Sequence, residues 1–338
     1  MGIFLNILFL IIGMFLLIKG ADYFVSGASA VAKKLKIPAI FIGLTIVAVG
    51  TSLPELSVSI TSAIKNDVEL SISNVTGSNM CNMLLILGTV SLFSKVKLSA
   101  STKKIDFPFL IAITSALALF ACDIFIDGTN TNLLSRTDSI VLVTLLILYF
   151  SILISNAKKE RKQMLENSFE LATPEEQIKE ENKPVVLKVW QILLYIILGL
   201  AAVVFGGECV STTAKYLAIQ AGMSETLVGL TIVAIGTSLP EFVTSVVAAK
   251  KGENDLALGN VIGSNIMNIA LILSFVGIIN PVVISSSIVT DLLILLGSTL
   301  FFGILCAKKS QIGKKEGVVL LIMYISYIAF AIVRNYCF

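Results

Sequence analysis

Apolar runs long enough to cross a membrane alternate with short polar turns, near residues 3–32, 38–64, 69–94, 104–122, 138–155, 186–218, 224–250, 255–280, 284–306 and 316–334. A helix needs about twenty mostly apolar residues to span the hydrocarbon core, so the pattern predicts ten transmembrane helices. A membrane barrel would instead show alternating segments of about ten residues, and that alternation is missing. The expected fold class is therefore all-α, a polytopic membrane protein. The first run has neither a basic leader nor a small-residue cleavage site, and it reads as the first span rather than a signal peptide. One longer polar stretch, 156–185, mixes Lys158, Lys159, Glu160, Arg161 and Lys162 with Pro174, Glu175 and Glu176. It is too poor in apolar residues to build a core and reads as a partly disordered linker. It separates residues 1–155 from 186–338, each with five spans.

Composition narrows the functions open to such a chain. Of its 338 residues 56% are hydrophobic and 14% charged, against roughly 45–50% and about 25% in soluble domains. Histidine is absent, which removes Ser-His-Asp and Cys-His catalysis, the histidine zinc proteases and histidine-ligated haem. An enzyme is not expected, nor is a cofactor. Cys81, Cys122, Cys209, Cys306 and Cys337 form no CxxC and lie mostly in apolar stretches, where cysteine is a small packing residue. The net charge of +3 comes from short loops, with no basic stripe to suggest a nucleic-acid partner.

Those loop charges report orientation. Lys33, Lys34, Lys36, Lys95, Lys97, Lys103, Lys104, Lys250, Lys251, Lys308, Lys309, Lys314 and Lys315 all fall on the side of the 156–185 linker, leaving Lys65, Arg136, Lys215 and Arg334 opposite. By the positive-inside rule the linker is cytoplasmic and both termini lie outside an inner or plasma membrane.

The chain also repeats itself. Residues 43–88 read GLTIVAVGTSLPELSVSITSAIKNDVELSISNVTGSNMCNMLLILG, and residues 229–274 read GLTIVAIGTSLPEFVTSVVAAKKGENDLALGNVIGSNIMNIALILS. They align without a gap, Glu55 onto Glu241 and Asn82 onto Asn268, with about half the positions identical, so one unit was duplicated. Five spans per half is an odd number, which places the second copy upside down. Equivalent residues are then related by a pseudo-two-fold axis and meet near the bilayer middle.

In each copy GTSLPE sets Pro54 or Pro240 inside an apolar helix, where proline removes a hydrogen bond and displaces the carbonyl of Gly50 or Gly236. Irregular backbone at membrane depth is tolerated only when buried in protein or lining a wet cavity. The carbonyls of Ala48 and Thr51, with those of Ala234 and Thr237, are expected to point at an ion. Glu55 and Glu241 follow the prolines, and a carboxylate at that depth marks a functional site. Thr51, Ser52 and Glu55 share a helix face, as do Thr237, Ser238 and Glu241; Ser78 and Asn82 are four apart on the next helix, as are Ser264 and Asn268. Such an all-oxygen set suits a hard cation such as Ca²⁺, which takes about six to eight oxygen ligands, better than a soft transition metal. Two glutamates supply a charge of about −2, which one Ca²⁺ or two Na⁺ would neutralise, so competition for them would couple the ions. If three Na⁺ replaced one Ca²⁺, one charge would cross per cycle, worth about 2.3 kcal/mol per 100 mV.

The paired GTSLPE and GSN-x-x-N segments resemble the alpha repeats of the Na⁺/Ca²⁺ exchanger family, within the calcium:cation antiporter superfamily, and the compact chain resembles its prokaryotic members. The resemblance implies ten helices as two inverted five-helix repeats and alternating access around a central ion site. It implies ligands from the second, third, seventh and eighth helices, namely Ala48, Thr51, Ser52, Glu55, Ser78 and Asn82 with Ala234, Thr237, Ser238, Glu241, Ser264 and Asn268. It also implies that the first and sixth spans move against the rest. Potassium-dependent relatives tend to carry an acidic residue where this chain has Asn268, which argues for K⁺-independent exchange. Proton-coupled relatives usually differ at the Thr-Ser-Leu-Pro positions, which favours Na⁺. The reading is an antiporter that extrudes Ca²⁺ against Na⁺, with Ca²⁺, Na⁺ and membrane lipid as its partners and no obligate protein partner. A Ca²⁺/H⁺ antiporter on the same scaffold is the alternative, and a cation channel a more distant one.

Other polar residues read less sharply. Thr61, Ser62, Ser115 and Thr144 are expected to bond backbone or pack against a neighbour. Asn74, Asn79, Asn260 and Asn265 divide evenly between interhelical hydrogen bonds and ion ligation. Asp22 and Glu208, equivalent by the repeat, either line an ion path or face water or Lys19. Lys65 with Asp67 and Glu69, and Lys251 with Glu253 and Asp255, read as solvated turns.

Overall fold

The computed structural model describes residues 2–126, 128–171, 187–223 and 234–337, with the side chains of 167–171, 234 and 335–337 excepted. Eleven helices position the site: α1 (Ile3–Leu35), α2 (Ala39–Thr51), α3 (Leu53–Ile64), α4 (Val68–Phe93), α5 (Phe107–Phe120), α6 (Arg136–Leu171), α7 (Val189–Gln220), α8 (Leu239–Lys250), α9 (Asn254–Ile279), α10 (Ser286–Lys308) and α11 (Lys314–Cys337). Among the described residues seven helices are long and apolar enough to cross a membrane, or eight when α2 and α3, bent by 47° at their junction, count as one broken span. Two of the ten expected spans hold shorter helices. The 104–122 segment contains the 14-residue α5 behind a π-helical turn at Thr102–Asp106, and 224–250 contains the 12-residue α8. Residues 224–233 of the latter lie outside the described residues.

One boundary differs from the sequence pattern. Helix α6 runs beyond residue 155 to Leu171, into the polar stretch expected to be linker. The strong helix formers there, with Lys162 and Glu166 one turn apart at 3.7 Å, continue the helix after the apolar run has ended. Residues 172–186 lie outside the described residues.

Helices α4 and α9 form the centre: 78% of their apolar windows is buried, against 22% for α1, α6, α7 and α11. The outer helices turn Phe4, Phe15, Trp190, Phe205 and Ile325 outward, an apolar belt suited to lipid. Both central helices carry a π-helical turn, Cys81–Ile86 and Asn268–Leu273, at equivalent places, and α2 has another at Gly43–Val47. Such turns displace side chains from the regular helical face and cluster at functional sites. Glycines let α9 lie directly on α2. A Cβ at Gly259 would sit 2.6 Å from the Ile40 carbonyl oxygen, and one at Gly263 2.7 Å from Ala48 Cβ.

Helices α1 and α7 meet along a seam of glycines seven residues apart. A Cβ on Gly13 would come 3.1 Å from the Gly206 carbonyl oxygen, and one on Gly20 2.9 Å from that of Gly199. Gly13 and Gly20 correspond to Gly199 and Gly206 in the repeat, so the two contacts exchange under a two-fold operation, as in an isologous dimer. Two short antiparallel ribbons obey the same relation. Strand β1 (Val96–Lys97) pairs with β4 (Gln311–Ile312), Val96 opposite Ile312, and β2 (Asn132–Leu134) pairs with β3 (Val282–Ile284), Asn132 opposite Ile284.

Contacts also sort the loops into two ends. Ser94 Oγ donates to Asn254 Oδ1 at 2.7 Å, Lys250 lies over the Phe93 ring, Lys33 reaches Glu253 at 3.6 Å, and Lys309 pairs with Glu316 beside the β1–β4 ribbon. The lysine-rich loops thus gather at one end. Asn66 with Asn280 at 3.0 Å, Arg136 on the Ile278 carbonyl, and Arg334 with Asp291 at 2.8 Å belong to the other.

Candidate functional site

The two GTSLPE segments break their helices in the same way. Ser52 (φ −83°, ψ 8°) separates α2 from α3, and Ser238 (φ −87°, ψ 7°) precedes α8, with Pro54 and Pro240 in the first turn beyond each break. Proline is acceptable there because the N–H it lacks has no intrahelical acceptor in any case. Glu55 and Glu241 therefore occupy the first turn of α3 and α8, where the positive end of the helix dipole favours a carboxylate. The carbonyl end of α2 faces the same junction. The Ala48 carbonyl accepts the Ser52 N–H at 3.1 Å, so it is partly engaged by backbone. Ala234 begins the described part of the second copy.

Burial is nearly complete. Glu55 and Glu241 are each 1% exposed, and Thr51, Ser52, Ser78, Asn82, Ser238, Ser264 and Asn268 are buried with them. The hydrogen bonds cross between the halves in matched pairs. Ser52 Oγ donates to Glu241 Oε1 at 3.0 Å, and its counterpart Ser238 Oγ to Glu55 Oε1 at 3.4 Å. Thr51 Oγ1 donates to Asn260 Oδ1 at 3.0 Å, and Thr237 Oγ1 to Asn74 Oδ1 at 3.3 Å. Ser78 and Thr237 hydroxyls lie 3.5 Å apart. These bonds tie Ser52, Glu55 and Ser78 to the second copy's Glu241, Ser238 and Thr237, and Thr51 to its Asn260, whereas Asn82, Ser264 and Asn268 are buried on α4 and α9 without a hydrogen bond to either glutamate among the described residues.

What is left unpaired defines the site's chemistry. Among the described residues neither glutamate has a lysine or arginine partner. Among the described residues, Glu55 Oε2, Glu241 Oε2, Ser264 Oγ, Asn268 Oδ1 and both polar atoms of Asn82 are buried with no hydrogen-bond partner. Leaving such atoms unsatisfied costs about 1–3 kcal/mol each, and more for a charge. Buried oxygens without partners, two of them on carboxylates that no cation compensates, are the ligand type a dehydrated hard cation takes. Among the described residues no group of three or more His, Cys, Asp or Glu gathers, so most of the available oxygens are neutral.

The asparagines with two readings separate. Asn74 and Asn260 brace the site: Asn260 Nδ2 donates to Ser245 Oγ at 2.9 Å while its oxygen holds Thr51, and Asn74 does the same with Ser59 at 3.4 Å and Thr237. Ser59 and Ser245 were not anticipated, although their equivalence in the repeat was available as a signal. Asn79 accepts from Asn268 Nδ2 at 3.0 Å and donates to the Asn265 carbonyl at 3.4 Å, which ties α4 to α9. Thr144 bonds the Ile140 carbonyl, as expected of a helix threonine. A cavity of about 480 Å³ lies beside the junction, lined by Leu53, Pro54, Val58, Glu208, Thr237 and Pro240 among others. Glu208 thus lines this cavity, whereas Asp22 is bound to Lys251 at 2.7 Å.

Comparison with known proteins identifies the family. Residues 5–155 and 191–333 match the family of sodium/calcium exchanger proteins. This chain belongs to that family. The exchanger is 36% identical over 324 residues to CaxA of Alkalimonas amylolytica, covering 95% of this chain and 96% of that one. It is 32% identical over 340 residues to the sodium/calcium exchanger MaX1 of Methanosarcina acetivorans, covering 96% and 97%. Its fold matches the sodium-calcium exchanger NCX_Mj soaked with Na⁺ and Ca²⁺, with a TM-score of 0.79 and 29% identity over 96% of this chain and 98% of the other. This family of transporters works by ion exchange rather than by catalysis.

Proposed function

We propose that this exchanger is a secondary active antiporter that moves Na⁺ inward and Ca²⁺ outward through one shared site, without a cofactor. The observation that carries the reading is the pair of buried glutamates with, among the described residues, no cationic partner and one carboxylate oxygen each unpaired, where the two repeats exchange hydrogen bonds. Glu55 and Glu241 are the ligands common to both ions. Thr51, Ser52, Ser78 and Asn82, with Thr237, Ser238, Ser264 and Asn268 and the carbonyls of Ala48 and Ala234, complete the oxygen shell. The similarity to NCX_Mj structures soaked with Na⁺, Ca²⁺ or Sr²⁺ supports this ligand chemistry.

Two carboxylates set the coupling. A charge of about −2 is balanced by one Ca²⁺ or two Na⁺, and a third Na⁺ on neutral oxygens makes the cycle electrogenic. Asparagine at both 82 and 268 gives the site no third carboxylate, which supports K⁺-independent exchange. The five-helix halves are inverted relative to each other, and α1 and α7 slide as a unit on their glycine seam to alternate access. The lysine-rich end is cytoplasmic, so both termini lie outside an inner or plasma membrane.

The test is Ca²⁺ uptake into Na⁺-loaded proteoliposomes, compared at matched potential with vesicles holding only a pH gradient. Uptake driven by Na⁺ and lost in Glu241→Gln supports the reading. Uptake driven by protons instead assigns the same scaffold to Ca²⁺/H⁺ exchange, and flux that persists without any counter-ion assigns it to a channel.

A further inference from the structure

The repeat gives each residue of one half a counterpart in the other, and the two halves are in different states. The cavity wall includes Leu53, Ser57, Val58 and Glu208; the counterparts are Leu239, Val243, Thr244 and Asp22. Val58 is 37% exposed, whereas Thr244 is 1% exposed and its hydroxyl has no partner among the described residues. Val243 packs on the cluster of Leu17, Ala21 and Val203. One mouth is open, and the equivalent space at the lysine-rich end is filled by α1.

Polar contacts hold that second mouth shut. Lys251 Nζ lies 2.7 Å from Asp22 Oδ1 and donates to the Asp22 carbonyl and to Ser26 Oγ, each at 2.7 Å. Two residues on, Glu253 accepts Ser29 Oγ at 2.5 Å and lies 3.6 Å from Lys33. The α8–α9 turn is thereby fastened along α1. The counterparts of Lys251, Asp22 and Ser26 are Lys65, Glu208 and Thr212, and those of Glu253 and Ser29 are Asp67 and Lys215. Opposite charges thus recur at the corresponding places. Lys65, Asp67, Glu208 and Lys215 are exposed, and among the described residues none of them forms an ion pair. Thr212 Oγ1 donates to Glu208 Oε1 at 3.3 Å, so it already stands beside its acid as Ser26 stands beside Asp22.

We propose that these two sets of residues are alternating latches of the transport cycle. Asp22–Lys251, with Ser29–Glu253, fastens α1 to the α8–α9 turn and shuts the lysine-rich end. When α7 closes on the α3–α4 turn, Lys65 pairs with Glu208 and Asp67 with Lys215, and the first latch opens. The inference rests on the alternating-access reading above and adds the residues that set the balance between its two end states. The present latch is partly exposed, at 30% for the Lys251 side chain and 45% for Asp22, and such pairs are weak. Weak contacts of similar kind at both ends suit a device that is made and broken in every cycle, because neither state becomes a trap.

Sided labelling tests this. The full chain, with its own cysteines replaced, carries Ser57→Cys in the open cavity or its counterpart Val243→Cys, and is reacted with a membrane-impermeant maleimide in sealed vesicles of each orientation, so that either face is reached, without an ion gradient. Asp22→Asn or Lys251→Met is expected to lower labelling at position 57 and raise it at 243, by about two- to fivefold for a partly exposed pair. Glu208→Gln or Lys65→Met is expected to shift both in the opposite direction. The charge swap Asp22→Lys with Lys251→Asp is expected to restore the parent pattern, which separates the latch from misfolding. Unchanged labelling in Asp22→Asn and Lys251→Met, or a shift of the same sign from both latches, overturns the proposal. Labelling needs no transport, so a failed Na⁺/Ca²⁺ assay and a failed latch are told apart.

Discussion

At the scale of residues, the site is defined by atoms that lack partners. Ser52 and Ser238 hold one oxygen of each carboxylate across the halves and leave the other free. Removing one carboxylate from a buried ion pair costs about 3–5 kcal/mol, a loss of about a hundredfold or more in affinity. Glu55→Gln and Glu241→Gln are each expected to abolish measurable Ca²⁺ uptake while the protein still elutes as a folded species in detergent. Ser52→Ala removes a single hydrogen bond to a charged group, worth about 1.5–3 kcal/mol, and is expected to raise the half-saturating Ca²⁺ concentration about tenfold or more. Asn260→Ala is expected to act on the same measurement through Thr51, which it holds, and rescue by Asn260→Asp would identify the acceptor oxygen as its contribution. Both glutamates were legible in the sequence because a carboxylate beside a helix-breaking proline in an apolar run is conspicuous on its own. The bracing of Thr51 by Asn260 was not, since the two lie in different halves of the chain.

At the scale of elements, close backbone approach ties α1 to α7. Gly199 Cα faces α1 so closely that a Cβ would lie 2.6 Å from the Phe24 nitrogen. Gly199→Ala is expected to force α1 and α7 apart at a cost of about 1–3 kcal/mol, lowering both thermal stability and the exchange rate. Gly297→Ala is the control: among the described residues nothing lies within 4 Å of its Cβ position. It is expected to leave exchange unchanged and to stabilise α10 by about 0.4–1 kcal/mol. Element ends were harder to read than element centres. Helix α6 overruns its apolar stretch because charged helix formers continue its hydrogen bonding, and α2 and α3 are two helices where the hydropathy pattern gives one. Hydropathy reports transfer to lipid, whereas helix ends are decided by local backbone bonding.

At the scale of the whole molecule, charge and symmetry underlie the proposed orientation and transport cycle. Lysines gather around the β1–β4 ribbon, while the β2–β3 ribbon lies with Arg136 at the other end. A cysteine introduced by Ser310→Cys is expected to react with an impermeant maleimide only from the cytoplasmic side, and one introduced by Thr129→Cys only from outside. The reverse pattern would invert the orientation. The proposed exchange of three Na⁺ for one Ca²⁺ would carry one charge, so the driving force would change by about 2.3 kcal/mol per 100 mV. Imposing a membrane potential is then expected to accelerate or reverse uptake, and an electroneutral stoichiometry would show no response.

The sequence by itself determined the membrane class, the duplication and the paired Thr-Ser-Leu-Pro-Glu breaks. Each of these is a local property, carried by hydropathy over one span or by residue types at fixed spacing. Tertiary structure alone decided which carboxylate oxygens are left free, which asparagines brace threonines across the halves, and which mouth is open. Those features depend on distances between segments far apart in the chain. They also depend on a difference between the halves, and two nearly identical motifs cannot encode which of them is presently closed. That choice comes from where α1 and α7 lie against the rest.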